Sequence, residues 1–326
     1  MDYSNFIILL ARQRSGTNAL RSILESHSAI FCLPEVFNLP DKDSEYMLNR
    51  ESNYFNFLQR YACADISRVF PDQHDKLFLN FLEYLRCFTQ KQLLVLDVKY
   101  MSTHHITKSW HFITEEPFFF SLIKEHNLRV LNLTRKNFLR YWLSELKAQQ
   151  SRVWQEFDES VVGDKPWYIE RKNSRMQRQE SKIYVDIDEL LETLRLCRSE
   201  NKVVEDSFSE YEHYLTFDYD DLFAYIGAPL SPLVLKRFAQ WAGIDNSFAA
   251  KRPEYKKLSH LTLEESIENY EAVVQALRGT EFEYCLEDEG LYLNVPATSA
   301  TKSTSHVSNQ ARSTIKDQLW RISKKS

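Results

Sequence analysis

No apolar run in this chain approaches the roughly 18 to 20 residues that a membrane-spanning helix needs. Basic excess is also missing. Lys and Arg number 41 against 46 Asp and Glu, a formal net charge of −5, which argues against a general nucleic-acid binder because phosphate contacts require cations. Nor is there a disulfide framework. The five cysteines (Cys32, Cys63, Cys87, Cys197 and Cys285) are scattered, odd in number and without a CxxC spacing, so free thiols in a reducing compartment are expected. The apolar sequence starts at Phe6, which leaves no room for a signal peptide, and the expected location is cytoplasmic.

What is present suits a soluble α/β enzyme. The 326 residues suffice for one large domain, and an aromatic content of 13% favours a pocketed globule over a disordered chain. The most informative stretch is Phe6–Phe37. Phe6–Ala11 is an apolar run of strand length, Arg12–Gly16 a polar turn, and Thr17–Ser26 carries Ala19, Leu20, Ile23 and Leu24 at helical spacing. Strand, Ser-Gly turn and helix aim backbone N–H groups and a helix N-terminus at an anion. The nucleotide-kinase loop GxxxxGK[ST] would put Gly, Lys and Ser or Thr where Ala11, Thr17 and Asn18 stand. The cation lies instead two residues before the glycine, at Arg14.

A second segment has the same character. Val130–Leu133 reads as a strand, followed by Arg135 and a helix containing Ser144, with Leu139, Trp142, Leu143 and Leu146 on its core face. The basic-Ser-Gly-Thr turn and the pattern Arg135, Asn137, Leu139, Arg140, Ser144 together resemble the two signatures of sulfotransferases that use 3′-phosphoadenosine 5′-phosphosulfate (PAPS). The bacterial carbohydrate and lipopolysaccharide (trehalose-type) branch is the most similar. Looser likeness continues through Tyr214–Leu222, Ser231–Ile244 and Lys251–Phe282, so that it spans most of residues 5 to 285.

The resemblance implies a three-layer, P-loop-like α/β sandwich with a central, mostly parallel sheet and helical insertions. It also implies transfer of the sulfuryl group of PAPS to an acceptor hydroxyl, with a carbohydrate or glycolipid as acceptor. Arg12, Arg14, Ser15, Gly16, Thr17 and Asn18 would wrap the 5′-phosphosulfate, and Arg14 would be its cation. Arg135 and Ser144 would take the 3′-phosphate, a guanidinium fork being suited to a dianion, and Lys251 and Arg252 would bring a basic loop back to it. Lys99, at the end of the apolar run Leu93–Lys99, would neutralise the sulfuryl or bridging oxygen. The base is Glu35, or else His104 or His105. A carboxyl can serve if burial lifts its pKa, while a histidine titrates in range unaided. His111 adds no recognised ligand spacing, and no metal is implied.

The chain divides into a catalytic domain, 1–290, and a tail, 296–326, whose Ser, Thr and Lys content predicts disorder. Residues 41–90 carry helically spaced apolar residues and read as an insertion between the first two core strands. The charged segment 151–182, with Arg171, Lys172, Arg175 and Arg178, is a candidate lid or acceptor segment, with a solvated helix face as the alternative. A homo-oligomer is possible. Two other functions compete: a P-loop kinase of a small metabolite, which Thr17 in the lysine position opposes, and a non-catalytic nucleotide-binding protein, which would bind PAP without turnover.

Overall fold

The computed structural model describes residues 2–38, 51–63, 65–107, 116–151, 182–222, 231–249 and 261–287. All of these fall in one unit, Met1–Tyr292. The expected basic loop at Lys251 and Arg252, the arginine cluster in 151–182, His111 and the tail lie outside the described residues.

Five strands form one parallel sheet: β1 (Phe6–Ala11), β2 (Ile30–Leu33), β3 (Leu93–Lys99), β4 (Arg129–Thr134) and β5 (Tyr214–Asp218), in the order β2-β3-β1-β4-β5. Every residue of β1 and β3 is buried, which is why these strands read as continuous apolar runs rather than alternating ones. Successive residues still point to opposite faces. Phe6, Ile8 and Leu10 join Leu94, Leu96 and Val98 on one face, covered by Phe78, Phe81, Phe119 and Phe120 from the insertion and the helix Phe118–Glu125. Ile7, Leu9 and Ala11 join Leu93, Val95, Leu131 and Leu133 on the other. There they pack on Leu20, Ile23 and Leu24 of α1 (Thr17–Leu24) and on Phe238 and Ala242 of the helix Pro232–Ala242. With helices on both faces of a parallel sheet, the expected three-layer α/β sandwich is observed.

One element differs from the sequence reading. Ile30–Leu33 is a strand, paired with β3 at the sheet edge, so the helical insertion joins the second and third strands rather than the first two. Its four residues are too few to show a period, and Pro34 follows them at once. The described part of the insertion holds the helices Tyr54–Ala62 and His74–Arg86. A third cluster unites Leu139 and Leu143 of the helix Phe138–Ser151, Leu190 and Leu194 of the helix Ile187–Phe208, and Val273 and Leu277 of the helix Tyr270–Leu277. All five cysteines are free. Among the described residues no helix is long and apolar enough to cross a membrane.

The topology also locates a crevice. The chain leaves β1 toward β2 on one side and leaves β4 toward β5 on the other, while β1 and β4 are neighbours. Their C-terminal ends form a switch point, where open α/β sheets hold ligands. The packing under this edge can be tested at Phe81, fully buried with its ring centroid 5.2 Å from that of Tyr54 and 5.4 Å from that of Phe57. Phe81→Ala should cost about 3–5 kcal/mol, read as a lower guanidinium midpoint at unchanged slope.

Candidate functional site

The turn between β1 and α1 has two left-handed residues, Arg14 (φ 59°) and Gly16 (φ 84°). Glycine adopts that conformation without a Cβ penalty. An arginine there carries a strain of about 1–3 kcal/mol that its surroundings must offset. The offset comes from the helix Phe138–Ser151: Arg14 Nε and Nη2 each donate to Ser144 Oγ at 3.2 Å. Arg135 Nη1 donates to the Arg14 carbonyl oxygen at 3.2 Å, and its guanidinium lies 4.8 Å from the Tyr219 ring centroid. The two segments that carried the sequence resemblance therefore meet, with Ser144 on the Arg14 side chain and Arg135 on its backbone. Burial pushes the Arg14 guanidinium below its usual pKa; Glu145 opposes this and Arg135 adds to it.

Asn137 and Arg140 hold this helix in place. Asn137 Oδ1 accepts from the Arg140 N–H at 2.9 Å and its Nδ2 donates to the Cys285 carbonyl at 3.1 Å, while Arg140 Nη1 donates to the Leu261 carbonyl at 2.8 Å. At the turn itself, Ser15 and Thr17 are buried, and the N-cap residue of α1, Gly16, has no side chain to cap it. Its first N–H groups have no intrahelical acceptor. Arg12 stands apart. It pairs with Glu200 and lies 5.2 Å from the Tyr141 ring centroid. Asn18 accepts from Arg21 Nη2 within α1.

A second cluster forms where β3 ends. Ala11 pairs with Lys99 in register, which sets the strand-end ammonium beside the turn. Lys99 is 3% exposed. It donates to Thr17 Oγ1 and to Asp97 Oδ1, both at 2.7 Å. Glu35 Oε1 lies 3.6 Å away, an ion-pair distance longer than a good hydrogen bond. Glu35 reaches this spot because Val36 N–H donates to the Asp97 carbonyl at 3.1 Å, so the chain keeps following β3 past the end of β2. On the far side of Asp97, Arg21 Nε stands 3.4 Å from Oδ2. Thr17 and Arg21 are four residues apart and share the face of α1 that meets β3.

The Glu35 side chain is 33% exposed, yet protein surrounds its carboxyl closely enough for burial to dominate and push its pKa up. Lys99 and Arg21 oppose that rise and Asp97 reinforces it. The rival bases sit in the turn Tyr100–His105. His105 packs edge-on against Phe55 with ring centroids 4.8 Å apart and lies 6.2 Å from Phe37; the His104 ring is 4.0 Å from it. Burial, and then His104, push His105 below the usual histidine range. Among the described residues neither histidine has a hydrogen bond or ion pair to the Lys99 cluster, and no group of three His, Cys, Asp or Glu side chains is arranged to hold a metal.

Asp97, Arg21 and Tyr219 escaped the sequence reading. Asp97 had a signal, since a carboxylate inside the buried run LLVLDVK has to find a cation. The positions of Arg21 and Tyr219 depend on packing and left no local trace.

No family model matches the chain, and no curated protein matches it. Among solved structures, a sulfotransferase from Alicyclobacillus acidocaldarius is similar at 12% identity and a TM-score of 0.39, covering 77% of this chain and 85% of that one. A likeness of that depth decides nothing about chemistry, which rests on the residues above.

Lys99→Met tests the cluster directly. It strips Asp97 of its nearer cation, and breaking a buried pair from one side costs about 3–5 kcal/mol. Equilibrium unfolding at pH 7 should show that loss.

Proposed function

We propose that this chain is a PAPS-dependent sulfotransferase that moves a sulfuryl group to an acceptor hydroxyl on a carbohydrate or glycolipid. The observation that carries the reading is the placement of cations at the switch point. The anion turn has Thr17 where a kinase loop has its lysine, and the ammonium arrives from β3 to hydrogen-bond that threonine. Arg14 and Arg135 bracket the same turn.

The donor set suits a group with two anionic ends. The uncapped N-terminus of α1, the Ser15 and Thr17 hydroxyls, Arg14 and Lys99 would hold the phosphosulfate, and Arg135 with Ser144 the 3′-phosphate. PAPS supplies, when bound, an activated sulfuryl group. The rest falls to side chains. Glu35 takes the proton of the acceptor hydroxyl as its oxygen bonds to sulfur. PAPS would supply the leaving phosphate oxygen, which would keep the electron pair of its bond to sulfur. Lys99 and Arg14 stabilise the charge collecting there, a preorganised electrostatic role that costs no rearrangement during the reaction. A raised pKa makes Glu35 a stronger base than an ordinary carboxylate.

Calorimetric titration with PAP, ADP and ATP, each with and without Mg²⁺, tests the reading. Tight, metal-independent binding of PAP with much weaker ADP is expected; preference for ATP with Mg²⁺ would replace this reading with a kinase. Arg135→Ala should weaken PAP binding by about 1.5–3 kcal/mol, the scale of a charged hydrogen bond, and unchanged affinity would remove Arg135 from the 3′-phosphate. Glu35→Gln should spare PAP affinity and cut turnover by about 10²-fold or more. Because the active form is the unprotonated one, wild-type turnover should rise with pH through a midpoint above the usual glutamate value of about 4.3. Near-normal turnover in the variant would move the base to His104 or His105.

A further inference from the structure

We propose that Asp97 is the positioning residue of this site, fixing the Lys99 ammonium between the Thr17 hydroxyl and the Glu35 carboxyl so that one N–H stays available to a ligand oxygen. The part that concerns the ligand rests on the sulfuryl-transfer reading; the part that concerns the ammonium stands on geometry alone.

Three observations support it. An ammonium has three donors, and two of them are committed at 2.7 Å, to Thr17 Oγ1 and Asp97 Oδ1. Beyond these two bonds, the ion-pair partner among the described residues is Glu35, at 3.6 Å. Two short bonds to fixed acceptors stop the head group rotating, so the remaining N–H has a set direction. Second, Asp97 is enclosed on all sides. It is fully buried in the central part of the sheet, two residues before Lys99 on the same face of β3, and Arg21 stands against its other oxygen. Third, a carboxylate with no exposure is costly unless it is compensated by cations. The four groups Asp97, Glu35, Lys99 and Arg21 are two acids and two bases, which offset one another among the described residues.

The same placement ties Asp97 to the base. The charged groups that face Glu35 are Lys99 and Asp97 from β3 and Arg21 from α1. Asp97 raises the proton affinity of Glu35 by its own charge and by holding the Lys99 ammonium on itself. Neutralising Asp97 removes the nearby negative charge and frees the ammonium to move onto Glu35, and both changes act in the same direction.

The test uses the full chain and Asp97→Asn, which keeps the shape and removes the charge. Carbon-13 NMR titration of the Glu35 carboxyl, assigned by its loss in Glu35→Gln, should show a lower midpoint in Asp97→Asn than in wild type. With PAPS, turnover to PAP should fall about tenfold or more while KM for PAPS changes less than about twofold, as expected when an interaction matters mainly in the transition state. A purely structural role would lower stability and leave the midpoint of the folded protein in place, so an unchanged midpoint overturns the proposal. Should Asp97→Asn fail to fold, Asp97→Glu serves. It retains the charge and pushes the carboxylate forward by one methylene, so turnover should fall with the Glu35 midpoint near wild type, and wild-type turnover would overturn the proposal. If wild type neither binds PAP nor turns over PAPS, the sulfotransferase reading fails, and the Glu35 midpoint in Asp97→Asn still decides the role of Asp97.

Discussion

The Lys99 ammonium joins three parts of the chain that backbone pairing and apolar packing have already brought to one end of the sheet. It ends β3, hydrogen-bonds the first residue of α1, and stands beside the segment that follows β2. Its burial is tolerated because Asp97 is there, and burial of Asp97 is tolerated because Lys99 and Arg21 are there. Each member would be destabilising alone. Buried ionic groups of this kind contribute little net stability compared with apolar packing, but removing one partner is costly. The cluster therefore constrains the sheet end more than it strengthens it. It ties the Thr17 hydroxyl and Arg21 of α1, and the Glu35 carboxyl, to the end of β3.

The anion turn depends on a second lock of different chemistry. Arg14 takes a backbone conformation that favours glycine, and its side chain and carbonyl are bonded by Ser144 and Arg135 from another segment. Those residues are in turn held by the Asn137 cap and by the Arg140 bond to the Leu261 carbonyl. A strained residue persists when its surroundings over-determine it. Arg14 meets that condition through groups more than a hundred residues away in sequence.

Much of the architecture could be read from sequence, for local reasons. β1 and β3 are unbroken apolar runs because both of their faces are covered, and α1 shows its period because only one of its faces is. β2 was hidden, since four residues cannot display a period. Individual candidate residues stood out where they sit in a patterned turn or at a strand end, as Arg14, Gly16, Lys99 and Arg135 do. Their partnerships were not. The Lys99–Thr17 bond spans 82 residues and the Arg14–Ser144 bond 130, and nothing in a local pattern reports which face of a helix will meet which strand. Arg12 is a further case: its position in the turn suggested an anion contact, and no local pattern reported that its side chain would meet Glu200 and Tyr141 on two other helices.

Placing the cation on the strand instead of in the loop has a physical consequence. A loop lysine moves with its loop and must be immobilised when ligand binds, losing side-chain entropy at that moment. Lys99 has already lost that freedom: its stem is buried at the sheet end and two of its three N–H donors are bonded to fixed acceptors. The ordering cost falls on folding, where the hydrophobic packing of β3 offsets it, and not on binding or reaction. On the sulfuryl-transfer reading, such a site would be preorganised for charge that develops at one point, which is how fixed dipoles and charges favour a transition state over a ground state. Of the acceptors in the cluster, Asp97 is the one with no exposure, so under the positioning role proposed for it the placement of the ammonium would be decided by folding and not by the ligand.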